Sequence, residues 1–201
     1  MIRVVGIDPG LDGALAVLDL HQDGAILHVT SVQPTPTLRV TVRKRTRREY
    51  DVPGMWRLMS DALSPQGVSV AMVALEHQGP RPKEGVVSSF RTGLGFGLWR
   101  ALTVAAEVPL AIVHPLAWRR EYGLVGGGKQ ASLRCAVERF PSYPPALARH
   151  DGAADAILIA GFAAFRRVVP GTAAASSPLV RAPDQASPAP TDTDPDLLPT
   201  G

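Results

Sequence analysis

The chain has 201 residues, of which 45% are apolar, and a formal net charge of +3. This length and apolar content suit one domain with its own core. The single cysteine, Cys135, excludes a disulfide within the chain, and no apolar run reaches the length of a membrane span. Because the first residues also lack the layout of a signal peptide, we expect a cytoplasmic protein.

The first part of the chain predicts three strands joined by tight turns. Apolar runs cover residues 2–7, 14–20 and 25–32, with Gly-containing turns between them. In residues 38–50, Val40 and Val42 alternate with polar and basic residues, which indicates an extended β-arm or a loop. Apolar residues then recur at helical spacing over residues 53–63, with proline in the first turn.

The second part predicts alternating strands and helices. Strands are expected at residues 70–75 and 110–113, and helices at 86–106, 116–122, 129–140 and 151–167. Leu94, Leu98 and Leu102 form an apolar face on the long helix, which core packing or subunit contact would explain equally well. The order of elements predicts a mixed α/β fold.

Residues 168–201 differ in composition from the rest of the chain. They hold seven of the 19 prolines and show no apolar periodicity, so we expect a disordered tail behind a domain of residues 1–167. The tail has one basic and four acidic residues, which leaves 20 basic and 14 acidic residues, a net charge of +6, in the domain. A basic domain suits a polyanionic partner, although solubility alone would also account for the charge.

Four carboxylates stand where they would hold a metal. Asp8 follows the first predicted strand, Glu76 follows the strand at residues 70–75, and Asp151 and Asp155 lie one turn apart at the start of an apolar helix. Oxygen ligands from separate segments are what a hard divalent cation requires. Two of them have a simpler explanation as well, since Asp8 suits a turn and Asp151 suits a helix N-cap, whereas Asp155 interrupts an apolar helix face and Glu76 is harder still to explain in this way. Together they indicate metal-dependent phosphodiester chemistry.

Three segments in this order resemble the signature blocks of the RuvC-type Holliday junction resolvases, most closely the phage-like branch of that family. They are Gly-Ile-Asp-Pro-Gly at residues 6–10, Leu-Glu at 75–76 and His-Asp-Gly-Ala-Ala-Asp-Ala at 150–156. The resemblance extends from residue 2 to about residue 164 and includes similar segments at 90–93, 114–119 and 129–132.

The resemblance implies a ribonuclease H-like fold, with a five-stranded mixed sheet flanked by helices. It implies a homodimer that nicks four-way DNA junctions symmetrically with two Mg²⁺ ions per active site, for which Mn²⁺ would substitute. Asp8, Glu76, Asp151 and Asp155 would hold the ions, and Lys129 would lie near the scissile phosphate. A partner helicase for branch migration is not identified by the sequence.

The chain departs from the family pattern in two places. In the best-known bacterial members the last two metal-binding side chains are three residues apart, which here would place one at Gly152. Asp151 takes that part at a spacing of four, and His150 is a second candidate. The aromatic residue with which the family wedges the junction open, shortly after the second carboxylate, is missing. Phe90 is only a weak substitute for it, because it fits a packed helix face.

Basic residues cluster in the predicted β-arm. Six of them lie within ten positions and are expected to contact DNA phosphates, although a charge run is often only a solvated surface: Arg39, Arg43, Lys44, Arg45, Arg47 and Arg48. Arg81, Lys83 and Arg91 would add a second patch near Glu76. Trp118 is expected either in the core or in contact with DNA.

Other functions fit less of the sequence. A related nuclease acting on other branched DNA, or a transposase-type catalytic domain, would use the same carboxylates. A non-catalytic junction-binding protein would not need four acidic side chains, since buried unpaired acids are costly without a metal. An actin-like nucleotide-binding enzyme would need a second similar domain and a longer chain.

Overall fold

The computed structural model describes residues 1–20, 28–64, 68–80, 84–140, 142–143 and 150–168. Within these ranges the side chains of Lys129, Arg167 and Val168 are not described. The described residues all belong to one compact unit. Of the predicted disordered tail at residues 168–201, only Val168 is described, as the last residue of a helix. The rest of the tail and the basic residues Arg81 and Lys83 lie outside the described residues, so the predictions made for them stay predictions.

The described residues contain seven strands and five helices. The strands are β1 Ile2–Asp8, β2 Ala14–Leu20, β3 His28–Pro34, β4 Thr37–Val42, β5 Arg45–Tyr50, β6 Ser69–Glu76 and β7 Leu110–Val113. The helices are α1 Val52–Leu63, α2 Val86–Ala105, α3 Pro115–Glu121, α4 Lys129–Arg139 and α5 Asp151–Val168. Within the described ranges, no helix is both long and apolar enough to cross a membrane.

Five of the strands form one mixed sheet in the order β3-β2-β1-β6-β7. β1 pairs antiparallel with β2 and parallel with β6, while β7 extends the parallel side. The helices lie against this sheet, so the predicted five-stranded mixed α/β architecture is confirmed. The third strand runs two residues beyond its predicted end, and residues 25–27, its predicted start, lie outside the described residues.

The predicted β-arm is a two-stranded antiparallel hairpin of β4 and β5, not a loop. Arg43 and Lys44 form its tip with φ angles of 49° and 66°. Two successive left-handed residues give the tight turn whose twist matches the flanking strands. The turn usually carries Asn or Gly, so the tip keeps two basic side chains at some conformational cost.

The two faces of the sheet have separate cores. On one face α5 packs over β1 and β2, and on the other Met55, Met59 and Trp99 from α1 and α2 are fully buried. Gly6 in the middle of β1 sets the approach of α5, because a Cβ atom there would lie 2.2 Å from the Ala156 carbonyl oxygen. The backbones of β1 and α5 therefore touch, one residue from Asp155.

Candidate active site

Asp8 and Glu76 lie at the carboxyl ends of two neighbouring parallel strands. The register of β1 and β6 pairs Ile7 with Leu75, so the two acidic residues follow at the same edge of the sheet. The Gly10 N–H donates to Asp8 Oδ1 at 3.2 Å, which closes the turn that the sequence suggested. Asp8 can therefore stabilise the turn and still serve as a metal ligand, because its carboxylate also lines an open cleft.

The amino end of α5 brings Asp151 and Asp155 to the same cleft, which has a volume of about 940 Å³. The first turn of α5 packs against the turn between β1 and β2. A Cβ atom at Gly152 in this turn of the helix would lie 2.2 Å from the Asp12 carbonyl oxygen. All four predicted carboxylates thus line one concave surface. No side chain fits at Gly152, the position at which the three-residue spacing of the bacterial family members would place a metal ligand.

His150 also lines this cleft, but its side chain has a structural task. The Ala153 N–H donates to His150 Nδ1 at 3.1 Å, so the imidazole caps the first turn of α5. The sequence suggested Asp151 as the N-cap. The helix instead begins at Asp151, one residue after the side chain that caps it.

Glu76 is held by two hydrogen bonds. The indole N–H of Trp118 donates to Oε1 at 2.9 Å, and the amide of Gln78 donates to Oε2 at 2.6 Å. Burial and the nearby charge of Asp8 raise the pKa of Glu76 to about 7, against the lowering effect of the Trp118 bond. The carboxyl group is therefore oriented by two hydrogen bonds, while burial and the charge of Asp8 disfavour its anionic form.

The sequence did not predict this role for Trp118. Trp118 is fully buried, as expected for a core residue, yet its N–H reaches the predicted metal ligand. The sequence feature that could have predicted this hydrogen bond is the position of Trp118 shortly after β7, the strand that pairs with β6. Arg119 lies over the Trp118 ring at 4.8 Å and its Nη2 is 3.4 Å from Asp155 Oδ2, which brings one positive charge into the acidic cleft.

The chemistry of the donor set fits a divalent cation, because it consists of carboxylate oxygens from three separate elements. Besides burial, the charges of Asp8 and Asp155 raise the pKa of Glu76, so a bound cation would offset their mutual repulsion. Within the described residues, however, no three Asp, Glu, His or Cys side chains already stand at a common ligand distance. Binding would need rotation of these side chains, with exchange of the contact between Arg119 and Asp155.

The glycines directly before α4 lie in the same cleft. Gly127 and Gly128 line it together with Ser132 of α4, which is 4% exposed. Lys129 begins α4 directly after them. Because the side chain of Lys129 is not described, its predicted place near the scissile phosphate stays a prediction.

The predicted DNA-binding residues fall into one described group and one that is only partly described. The six basic residues of the arm are all exposed on the hairpin of β4 and β5. Arg39 lies directly opposite Arg48, a cross-strand pair of like charges. Arg47 and Arg48 contact Glu49 and Asp12 respectively. Of the second patch only Arg91 is described, at the start of α2.

Phe90 does not pack into a helix face, as the sequence suggested. Its side chain is 69% exposed on the first turns of α2. The predicted apolar face of this helix consists of Leu94, Leu98 and Leu102. Leu98 and Leu102 pack against the core, so a subunit contact is not needed to explain them, while Leu94 is 43% exposed. The prediction placed the buried face of α2 too close to its amino end.

The fold is ribonuclease H-like, with acidic residues at the carboxyl ends of adjacent central strands. Among solved structures, the chain is similar to Thermus thermophilus RuvC in complex with a Holliday junction substrate. The TM-score is 0.56 at 16% identity, over 82% of this chain and 94% of that one. A second T. thermophilus RuvC structure gives a TM-score of 0.51 at 20% identity, over 82% and 95%.

These likenesses confirm the predicted fold and agree with the resemblance to RuvC-type resolvases. They were found by structure, since no protein-family model matches the chain and no curated protein sequence does either. At such low identity they establish a shared architecture, and the site must be argued from the residues of this chain.

Proposed function

We propose that this protein is a structure-selective endodeoxyribonuclease that resolves four-way DNA junctions by metal-dependent phosphodiester hydrolysis. The observation that carries the proposal is the convergence of Asp8, Glu76, Asp151 and Asp155 on one open cleft. The fold supports it, because the similar T. thermophilus RuvC was solved with a Holliday junction substrate.

Asp8, Glu76, Asp151 and Asp155 would hold two Mg²⁺ ions, with Mn²⁺ as a substitute. Such ions supply activation of water and stabilisation of the leaving 3′ oxygen. The chain itself orients the carboxylates. Trp118 and Gln78 hydrogen-bond the two oxygens of Glu76, and the Gly10 N–H donates to one oxygen of Asp8, so these side chains would turn toward an ion from defined positions. Since the cleft is open, a DNA backbone has access to these groups.

The hairpin of β4 and β5 supplies the proposed phosphate contacts. Its exposed arginines repel one another where Arg39 faces Arg48, so a polyanion would relieve the repulsion. Arg48 connects the hairpin to Asp12, a residue of the catalytic cleft. DNA held by the hairpin would therefore lie next to the carboxylates.

We further propose that the enzyme is a homodimer that pairs through the exposed face of α2. Gly93, Gly97 and Ala101 recur on this face, and a Cβ atom at either glycine would have no heavy atom within 4 Å. Glycine inside a helix costs about 1 kcal/mol relative to alanine. Close approach of a second helix would explain that cost, and the neighbouring Val104 is 63% exposed.

The proposal is tested by incubating the purified protein with a synthetic four-way junction, a fork and a linear duplex, each with Mg²⁺ or Mn²⁺. We expect paired nicks at symmetric positions in the junction. Preferential cutting of the fork would favour the related nuclease that acts on other branched DNA. Tight junction binding without any cutting would favour the non-catalytic binding protein.

A further inference from the structure

The amino end of α4 opens into the catalytic cleft without a side chain that caps it. Gly128 is the N-cap residue of this helix, and no side chain accepts from its first turn. The first N–H groups of any helix have no partner inside the helix. Here the Ala131 N–H donates to the Gly128 carbonyl oxygen, but the N–H groups of Gly128 and Gln130 donate no hydrogen bond to the described part of the chain.

The hydroxyl of Ser132 adds a side-chain donor to the same opening. Ser132 follows Gly128 by four residues, so it lies on the same face of the helix, where side chains tilt toward the amino end. It is 4% exposed and yet lines the cleft. No hydrogen bond joins its hydroxyl to another group that the structure describes. A buried hydroxyl without a partner costs free energy, which a ligand in the cleft would recover.

The fold itself does not require glycine at position 128. The φ angle of Gly128 is −76°, which any residue adopts, and a Cβ atom there would have no heavy atom within 4 Å. Gly127 and Gly128 both line the cleft. Glycine at this place leaves the N–H groups accessible to a ligand that approaches the backbone closely, as at other helix ends that bind phosphate.

These groups suit an anion with several oxygen atoms. All of them donate hydrogen bonds, and the amino end of a helix carries a partial positive charge. The proposed metal ions at Asp8 and Glu76 would take the scissile phosphate, so the amino end of α4 is left for another phosphate of the same strand. Both would then lie in one cleft, since Asp8, Glu76 and Ser132 all line it.

We propose that the amino end of α4 and the Ser132 hydroxyl bind a backbone phosphate next to the scissile one. This inference rests on the proposed function and deepens it. It assigns the contact to backbone N–H groups and a hydroxyl, separately from the predicted role of the Lys129 side chain. Contacts to phosphates fix the register of DNA on a protein, so this site sets which phosphate reaches the carboxylates.

The test uses four-way junctions that each carry one methylphosphonate, which removes the charge of a single phosphate, at positions that flank the cut. At one position it should slow nicking by the full-length wild type in Mg²⁺ roughly 10-fold or more, as expected for loss of a hydrogen bond to a charged group. Ser132→Ala should slow nicking of the unmodified junction by a similar factor. In Ser132→Ala the same methylphosphonate should have a markedly smaller effect, because the contact is already lost.

A pair of glycine variants separates this role from the stability of the helix. Gly128→Ala puts a methyl group on the backbone that would receive the phosphate, so it should slow nicking. Thermal melts should show no loss of stability, because the methyl group meets nothing in the protein. Gly85→Ala is the matched control and should nick as wild type. Gly85 is the N-cap residue of α2, has equally open surroundings and is not among the residues that line the cleft.

Four outcomes would overturn the inference. If Ser132→Ala nicked at the wild-type rate, or if it responded to every methylphosphonate as the wild type does, no phosphate would lie at Ser132. Equal slowing by Gly128→Ala and Gly85→Ala would likewise remove the special place of α4. In these three cases the proposed function would stand. If the wild type nicked no junction in Mg²⁺ or Mn²⁺, the proposed function would fail along with the inference.

Discussion

Ionisation of Glu76 in the cleft should make the stability of the protein depend on pH. Its pKa in the fold is about 7, above the value of 4.5 for a free side chain, because it is buried next to Asp8. A group whose pKa is raised on folding stabilises the protein at low pH, and this contribution is lost as the pH rises through the folded value. Without divalent cations the protein should therefore become less stable as the pH rises from about 4.5 to about 7.

We expect the loss to approach about 3 kcal/mol, which follows from the size of the pKa shift. Thermal melts across this range in EDTA measure it. Glu76→Gln should remove most of the slope, and Mg²⁺ should restore stability at pH 8. Asp19, whose pKa is lowered below 3.8 by Arg3 and Thr30 despite its burial, does not titrate in this window. A flat profile for the wild type would contradict the burial of an ionising Glu76.

Trp118 offers a second prediction at the scale of single residues. Trp118→Phe keeps an aromatic ring in the core but removes the donor to Glu76 Oε1. Loss of a group that orients a metal ligand typically lowers metal affinity or activity 10- to 100-fold, and we expect a loss of that size in Mg²⁺-dependent cleavage. Titration of cleavage against Mg²⁺ concentration measures it.

Trp99→Phe is the matched control for this change. Trp99 is also fully buried, and its indole N–H has no hydrogen-bond partner among the described residues. The control should leave the Mg²⁺ dependence unchanged. An equal effect of both substitutions would mean that Trp118 acts only through packing.

At the scale of elements, the hairpin of β4 and β5 carries the proposed phosphate contacts. Replacing Arg43, Lys44, Arg45 and Arg47 by alanine should weaken junction affinity and flatten its salt dependence. Each lost phosphate contact reduces the slope of log affinity against log salt by about 0.9. Binding titrations at several salt concentrations give the slope. An unchanged slope would remove the hairpin from the interface, and Arg57→Ala on α1 serves as a control.

The exposed face of α2 supports a different measurement. Gly97→Glu puts a charged side chain where the proposed dimer needs close contact, and a Cβ atom at this position has no heavy atom of its own subunit within 4 Å. The variant should fold and remain monomeric, as measured by light scattering, and should lose paired cutting of junctions. A variant that stayed dimeric would show that the subunits meet elsewhere.

The elements were largely predictable from the sequence because they depend on local pattern. Apolar runs ending at Asp8 and Glu76 gave the central strands, and the apolar helix after Asp151 gave α5. The hydrogen bond between Trp118 and Glu76 was not predictable, because the two residues are 42 positions apart. The bond forms only when β6, β7 and the start of α3 are placed correctly relative to one another. The exposure of Phe90 was missed for a similar reason: helical spacing shows a face but not what covers it.

At the scale of the whole molecule, the proposed active site depends on the pairing of β1 with β6 and on the packing of α5 across Gly6. These two contacts bring carboxylates from three distant parts of the chain to one cleft. The basic hairpin and the exposed face of α2 contribute to DNA cleavage only if this cleft is the active site. A single comparison tests that point.

The most direct measurement is the cleavage of a four-way junction by wild type and by Asp8→Asn, with junction binding measured in parallel. We expect Mg²⁺-dependent paired nicks from the wild type. Asp8→Asn should show no detectable nicking but should bind the junction with similar affinity, because the substitution removes one charge without changing size. Nicking by Asp8→Asn at the wild-type rate would contradict the assignment of this cleft as the active site.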